Sequence, residues 1–438
     1  MENQTASQSY PLNKLKAFRQ LLYQKGFGYY RDAQFELVDA LLCNQAARSF
    51  AELTLTPLHR RRWCSAYAAV ERGTQRNNQV RRLFAQQVSN NGVQVLALDT
   101  TIWPHPGART LAELAHEYQT TKSKRGHIFV RAHRYSLLDW IPERGQSWAL
   151  PLDSRRLAPT MATVQLAVDQ VRAVCRRLVG QTGRKLAIAA DTRYGTHRFL
   201  GPLQDEPCAV VVRLRRDRVL YGRSPPYSGL GRPRKHGQRL AFKELETWPM
   251  PNAEMHFVDE RWGQVHLRAW FDVHAREDYG TEFNLMLAEV RLERRRRPQP
   301  LWLAYQGAAG FTLADIWRWF DHRWAIEPSF RFRKQRLHWT LPAWQQSERC
   351  DRWTLLVDMA YWQLFLARTA IQDEPLPWHK PQEKLTPGRA LRGFALLFAQ
   401  IDTPTCPVKS RGKPPGWKTG QQRRAPPRYS LVKRCRKS

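Results

Sequence analysis

The chain predicts an α/β protein: a mixed sheet with flanking helices, interrupted by a β-rich insertion and preceded by a helical N-terminal domain. Three observations predict it. Apolar residues between about 11 and 88 recur at helical spacing. From Gly92 onward strand-like runs alternate with one long helical stripe. Between 222 and 300 the chain breaks into alternating segments with no long helix.

Leu15, Phe18, Leu21 and Leu22, then Phe35, Val38, Leu41 and Leu42, fall on helix faces. The basic amphipathic stretch HRRRWCSAYAAVERGTQRNNQVRRLFAQQV follows. A DNA-end-binding domain over 1–90 explains it, and so does a helical packing unit with a basic surface. VQVLALDTTIW reads as a strand buried on both faces that ends at Asp99. HIFVRAHRYSLLDWI and SWALPL read as two further strands. Met161, Val164, Val168, Val171, Cys175 and Leu178 form one helical stripe, with Gly180 and Gly183 expected just past it as caps. KLAIAAD is a short apolar strand ending at Asp191, and CAVVVRLRRDRVLY is another strand. These elements make the first part of a core, 91–221.

In the insertion, 222–300, MHFVDERWGQVHLRAWFDV predicts a hairpin around Trp262-Gly263, and FNLMLAEVRLE a further strand. It opens with GLGRPRKHG and closes with ERRRRPQP, both strongly basic. PLWLAYQG returns to the core, whose second part, 301–375, ends in the apolar helix WTLLVDMAYWQLFLARTAI. From 376 to 438 the chain reads as a basic tail rich in Pro and Gly. Beyond Asp402 it has no acid, so it is expected to be mobile and to add phosphate affinity.

Lys and Arg number 71 against 38 Asp and Glu, a formal charge of +33. So large an excess points to a polyanionic partner, nucleic acid before an anionic membrane. No apolar run is long enough to span a bilayer, and the first residues lack the apolar core of a signal peptide. The seven cysteines show no CxxC pair and the thirteen histidines no HExxH spacing, which suits reduced cytosolic thiols and points away from zinc.

The stretch Phe320–Lys334, FDHRWAIEPSFRFRK, carries the densest chemistry. Helical spacing puts Phe320, Arg323, Glu327 and Lys334 close to one face, while Asp321 falls away from it. Arg331, Arg333, Trp319 and Trp324 lie nearby. Alone, such a helix reads as a solvated face laced with ion pairs. Asp99 and Asp191, each at the end of an apolar strand, change that reading. Three converging carboxylates repel one another unless divalent cations neutralise them, and all-oxygen ligation suits Mg²⁺ or Mn²⁺. Two such ions can activate a nucleophile and stabilise a leaving oxygen at phosphorus, with Arg323 and Lys334 holding phosphates. Asp139, Asp153, Asp272 and Asp278 rank lower, because each lies in or beside a mixed, partly polar stretch.

The order of elements resembles the RNase H-like fold, and the acids resemble the DDE triad of transposases. Phe320-x2-Arg323-x3-Glu327-x6-Lys334 is similar to the Y-(2)-R-(3)-E-(6)-K signature of cut-and-paste insertion-sequence transposases. LALDTT and AADTRYG resemble that family's aspartate motifs, and the longer second spacing, 191 to 327 against 99 to 191, matches its β insertion. The resemblance covers roughly 92 to 340. Two residues depart from it. Phe320 replaces the signature tyrosine and lacks its hydroxyl, and Pro328 directly after Glu327 means that the helix either kinks or restarts there.

The resemblance implies catalytic and metal-holding roles for Asp99, Asp191 and Glu327 with two Mg²⁺ or Mn²⁺ ions. It implies DNA contacts by Phe320, Arg323, Lys334, Arg331, Arg333, Trp302, Arg232 and Lys235. Water would nick each transposon end and the freed 3′-OH would attack target DNA. The partners would be double-stranded DNA, as terminal inverted repeats and target, and a second copy of the chain on that DNA. No membrane is involved, and the location would be the prokaryotic cytoplasm, at the nucleoid when DNA is bound. Related enzymes stack a flipped base on an insertion tryptophan, for which Trp302, Trp262 and Trp270 are candidates, with core packing as the alternative for each. Gly231-Arg232-Pro233 resembles an AT-hook core, with general phosphate contact as its alternative. A structure-selective nuclease and a domesticated, non-catalytic DNA-binding protein remain as other functions of the same fold.

Overall fold

A computed structural model describes residues 2–118, 129–182, 184–227, 229, 231–291, 299–380, 382–409, 416, 419–420, 422, 425 and 427–432. Gly183, the basic run 293–298 that closes the expected insertion and parts of the basic tail, chiefly 410–415 and 433–438, lie outside the described residues.

Four helices open the chain: α1 (Glu2–Leu21), α2 (Arg31–Cys43), α3 (Trp63–Arg72) and α4 (Asn77–Ala85). Phe18, Phe35, Val38 and Leu41 are buried on their inner faces, as the helical spacing requires. Part of the basic run before α3 is neutralised internally, since Arg60 and Arg61 both pair with the buried Glu36.

The sheet begins with β1 (Val93–Pro104), β2 (Ala115–Tyr118), β3 (Phe129–Ile141) and β4 (Leu150–Leu157). After α5 (Thr163–Thr182) come β5 (Lys185–Ala190), the short α6 (His197–Leu200) and β6 (Ala209–Arg213). Gly180 lies inside α5 rather than beyond it. β1 is antiparallel to β3 and β3 to β4, while β1 is parallel to β5 and β5 to β6. The order β4-β3-β1-β5-β6, with its antiparallel half and its parallel half, is RNase H-like.

β1 continues past Asp99, the expected strand end, because its pairing with β3 runs on to Pro104 opposite Ala132. Its parallel pairing with β5 does stop there: the last pair is Leu98 with Ala190. One step further in the same register aligns Asp99 with Asp191. The two aspartates therefore meet at one level of the sheet, where the parallel ladder ends.

CAVVVRLRRDRVLY splits, because β6 stops at Arg213 and the chain turns before β7 (Val219–Tyr221). β8 (Arg239–Ala241), β9 (Ala253–Asp259), β10 (Gly263–Ala275), β11 (Asp278–Arg291) and β12 (Gln299–Gln306) follow. β9 and β10 form the expected hairpin, with Gly263 at positive φ just past its turn. The stretch 222–300 does not stand apart as its own sheet. β12 pairs with both β6 and β11, and the single sheet runs on as β6-β12-β11-β10-β7-β8.

Helices cover both faces of the sheet. α7 (Leu313–His322) starts at a capping box between Thr312 and Asp315 and buries Ile316, Trp317 and Trp319 in one core cluster with Val211 and Leu303 of the sheet. α8 (Ile326–Gln335) follows, then α9 (Ser347–Ala367), which packs in the other layer against β4 and the N-terminal helices. Trp362 of α9 donates to Pro151 O at 2.7 Å, and Arg19 of α1 reaches both Asp39 and Gln363. The C-terminal segment departs from its sequence reading. α10 (Pro387–Phe394) and α11 (Phe398–Ile401) bury Leu391, Phe394 and Ile401. Arg60 also holds the Thr405 carbonyl, so the chain from about 385 to 406 is packed onto the N-terminal helices and is not tail.

Candidate active site

Asp99 on β1, Asp191 directly after β5 and Glu327 in the first turn of α8 converge on one guanidinium. Arg323 Nη1 lies 3.0 Å from Asp99 Oδ2, and its Nη2 lies 3.8 Å from both Asp191 Oδ1 and Glu327 Oε1. Among the described residues, Arg323 is the cation at ion-pair distance from all three.

Local sequence explains how α8 delivers its acid. α7 ends at His322, a single 3-10 turn spans Arg323–Ala325, and α8 restarts at Ile326. Pro328 occupies the first turn of α8, where its missing N–H leaves no helical bond unmade. Of the two options left by the sequence, restart or kink, the chain takes the restart. Glu327 is favoured in that first turn by the helix dipole. Ile326 is fully buried beneath it, and the Ser329 hydroxyl donates to Ala149 O at 3.0 Å. These anchors aim the Glu327 side chain, 61% exposed, outward over the sheet.

Burial pushes the Asp99 carboxyl up to about 6, against the opposing pull of Arg323 and of the Thr100 amide, which donates to Oδ1 at 2.7 Å. Asp191 and Glu327 add a further upward push. Three carboxylates thus share one close cation. The separations of Asp191 and Glu327 from Arg323 exceed hydrogen-bond length, so their oxygens keep most lone pairs open. A donor set of hard oxygens, under-neutralised and partly open to solvent, fits Mg²⁺ or Mn²⁺. The acids surround the guanidinium rather than one another, since the tight ligand clusters among the described residues lie elsewhere.

Lys334 Nζ donates to Thr101 Oγ1 at 2.7 Å, two residues along β1 from Asp99. Phe320 is partly buried beneath the Arg323 guanidinium at 5.8 Å, and Arg331 is exposed. Two expected DNA contacts do not survive folding. Arg333 is 1% exposed and paired with Asp139 and Asp358, so it neutralises buried acids and cannot reach a phosphate. Trp302 is 3% exposed and stacks on Phe242 at 4.0 Å, because β12 is an interior strand of the sheet. Trp270 is likewise buried. Trp262 instead donates to Asp321 at 2.7 Å, where Arg144 and Arg261 also converge. Asp321 is therefore a buried tie between α7 and the β9–β10 turn. Arg232 and Lys235 are exposed on the loop between β7 and β8.

Among the described residues, an indole available near the acids is Trp324, 44% exposed in the turn between Arg323 and Glu327 and lying 4.7 Å under Arg261. Nothing in its spacing separates it from Trp319, which is buried, so only the break between α7 and α8 reveals it.

A sheet in this order, with three acids gathered where its parallel ladder ends, defines an RNase H-like protein with an acidic site. The chain belongs to the DDE superfamily endonucleases, whose family pattern it matches over residues 23–271. That match includes Asp99 and Asp191 and ends before Glu327. No curated protein matches the chain. Among solved structures, it is similar to a piggyBac transposase in a synaptic complex with hairpin DNA, at 9% identity and a TM-score of 0.41, over 86% of this chain and 74% of that one.

Proposed function

We propose that the chain is a DDE transposase, which cleaves the ends of an insertion sequence and joins the 3′-OH to target DNA by two-metal-ion phosphoryl transfer. The observation that carries this reading is the meeting of Asp99, Asp191 and Glu327, remote in the chain, on the Arg323 guanidinium. Asp99, Asp191 and Glu327 would hold two Mg²⁺ or Mn²⁺ ions, which supply charge neutralisation and Lewis acidity at the phosphate oxygens. Arg323 then has its donors available for phosphate, beside Lys334 and Arg331. Trp324 offers its exposed face to an unstacked base, held level by Arg261. Arg232 and Lys235 add phosphate contacts from the β7–β8 loop. Two DNA ends must be brought together, so the working assembly is a homodimer on DNA.

The test uses two DNA substrates with Mg²⁺ and the purified chain. The first carries the intact element end and its flank, and strand cleavage at the boundary is expected. The second is a pre-cut end with a free 3′-OH plus a target plasmid, and joining is expected. Cleavage without joining would reduce the protein to a nuclease, and neither reaction would leave a DNA-binding protein.

A further inference from the structure

The side chains of His105, His133 and Cys350 form a second cluster in the protein core, away from the acids. Each offers one ligand atom, and these atoms all lie within 4.8 Å of one another. All three residues are buried. They come from three elements remote in sequence: the residue just past β1, the middle of β3 and the first turn of α9. The rings of His105 and His133 meet edge to face with centroids 4.9 Å apart.

Two details of this cluster mark it as a ligand set rather than ordinary packing. Among the described residues, His105 Nε2 and His133 Nδ1 are buried with no hydrogen-bond partner. Buried polar atoms are rarely left so, because each loses its bond to water without replacement. His133 also holds its other nitrogen, Nε2, 3.0 Å from the Ala112 carbonyl oxygen. That contact makes Nε2 the protonated nitrogen and leaves a lone pair on Nδ1. A backbone carbonyl fixing the tautomer in this way is the usual outer support of a metal-bound imidazole.

From this geometry we infer that His105, His133 and Cys350 bind one Zn²⁺, clamping the end of β1 and the centre of β3 to the start of α9. Two imidazoles and a thiolate suit this borderline ion and not the hard ions that suit the acids. Burial keeps both imidazoles neutral, pushing His105 down to about 3 and His133 to about 4. The acids Asp351 and Glu113 act on His133 against the opposing charge of Arg156. The Cys350 thiol, held protonated by burial, must lose its proton as the S–Zn bond forms, so one proton is released to solvent per ion bound. Sequence spacing conceals the set, since no two of the ligands share a short motif.

The test titrates Co²⁺, as a coloured stand-in for Zn²⁺, into the metal-stripped full-length chain, and measures zinc in the chain as purified. One zinc per chain is expected, together with a thiolate-to-cobalt charge-transfer band saturating at one equivalent. Both should be lost in Cys350→Ser and in His105→Gln and kept in Asp99→Ala. A second group, the exposed Glu254 and His256 with the half-buried His266, is the competing site for adventitious metal. Absence of the charge-transfer band in the wild-type chain would overturn the proposal without reference to any variant. Zinc retained in Cys350→Ser but lost in His266→Ala would overturn it equally, as binding at the surface only.

Discussion

Lys334 Nζ lies 2.7 Å from Thr101 Oγ1, while Arg323, eleven positions earlier, reaches Asp99 on the same strand. Asp99 and Thr101 share one side of β1 by the two-residue strand period, and the α7–α8 segment lies over that side. The spacing from Arg323 to Lys334 is thus matched to two consecutive same-side positions of β1. A helix signature and a strand motif are two halves of one contact.

Asp99→Ala, Asp191→Ala and Glu327→Ala are each expected to lower Mg²⁺-dependent strand cleavage by roughly 100-fold or more. DNA binding measured by mobility shift should stay largely intact in all three. Full activity in any one of them removes that residue from the site.

Lys334 carries a pH signature. Burial and the neighbouring Arg333 push its ammonium down to about 8 from the ordinary 10.5. Between those values the unfolded chain binds more protons than the folded one, so this residue makes stability rise with pH across that window. Phosphate affinity runs the opposite way, because the folded lysine loses its charge as pH passes about 8. End affinity of the wild-type chain should therefore fall from pH 7 to 9, and Lys334→Arg should flatten that fall. An unchanged pH dependence in Lys334→Arg sinks the assignment.

Arg333 and Arg331, two residues apart, should separate cleanly. Arg333→Met leaves Asp139 and Asp358 buried without their cation and is expected to cost about 3–5 kcal/mol of stability in denaturant unfolding. Arg331→Ala, at an exposed position, should leave stability within about 0.5 kcal/mol and weaken DNA binding instead. The reverse pattern would contradict the burial described.

The tryptophans make a second contrast. Trp324→Ala should weaken binding to DNA with an unpaired base near the cleavage point by about 1–3 kcal/mol, with little change in melting temperature. Trp302→Ala should destabilise the fold by about 3–5 kcal/mol, since its indole is stacked in the core. Equal effects of the two on stability would remove Trp324 as an exposed platform.

Much of this protein could be read from the chain alone. Val95–Leu98 and Leu186–Ala190 are buried on both faces, and that burial leaves two short hydrophobic runs that no polar residue interrupts until the acid. The charge excess and the spacing from Phe320 to Lys334 are likewise local in sequence, and they singled out Arg323 and Glu327. Gly180 inside α5 and the packed α10 escaped this reading, because helix ends and amphipathic pieces near a basic tail are set by what they pack against. The continuity of 222–300 with the core sheet also escaped it, because strand pairing across β6, β12 and β11 is a non-local choice.

By itself the sequence determined most of the core strands and helices, which of them carry Asp99, Asp191 and Glu327, and that the chain is strongly cationic; these follow from periodicity and residue chemistry. Only the tertiary structure decided which charges face water. It buried Arg333 against two aspartates and Trp302 against Phe242 and left Trp324 exposed beside the acids. It also brought His105, His133 and Cys350 together. The physical reason is that burial is a property of contacts between remote segments, and residues of one type at similar spacing carry no mark of which contact they will make.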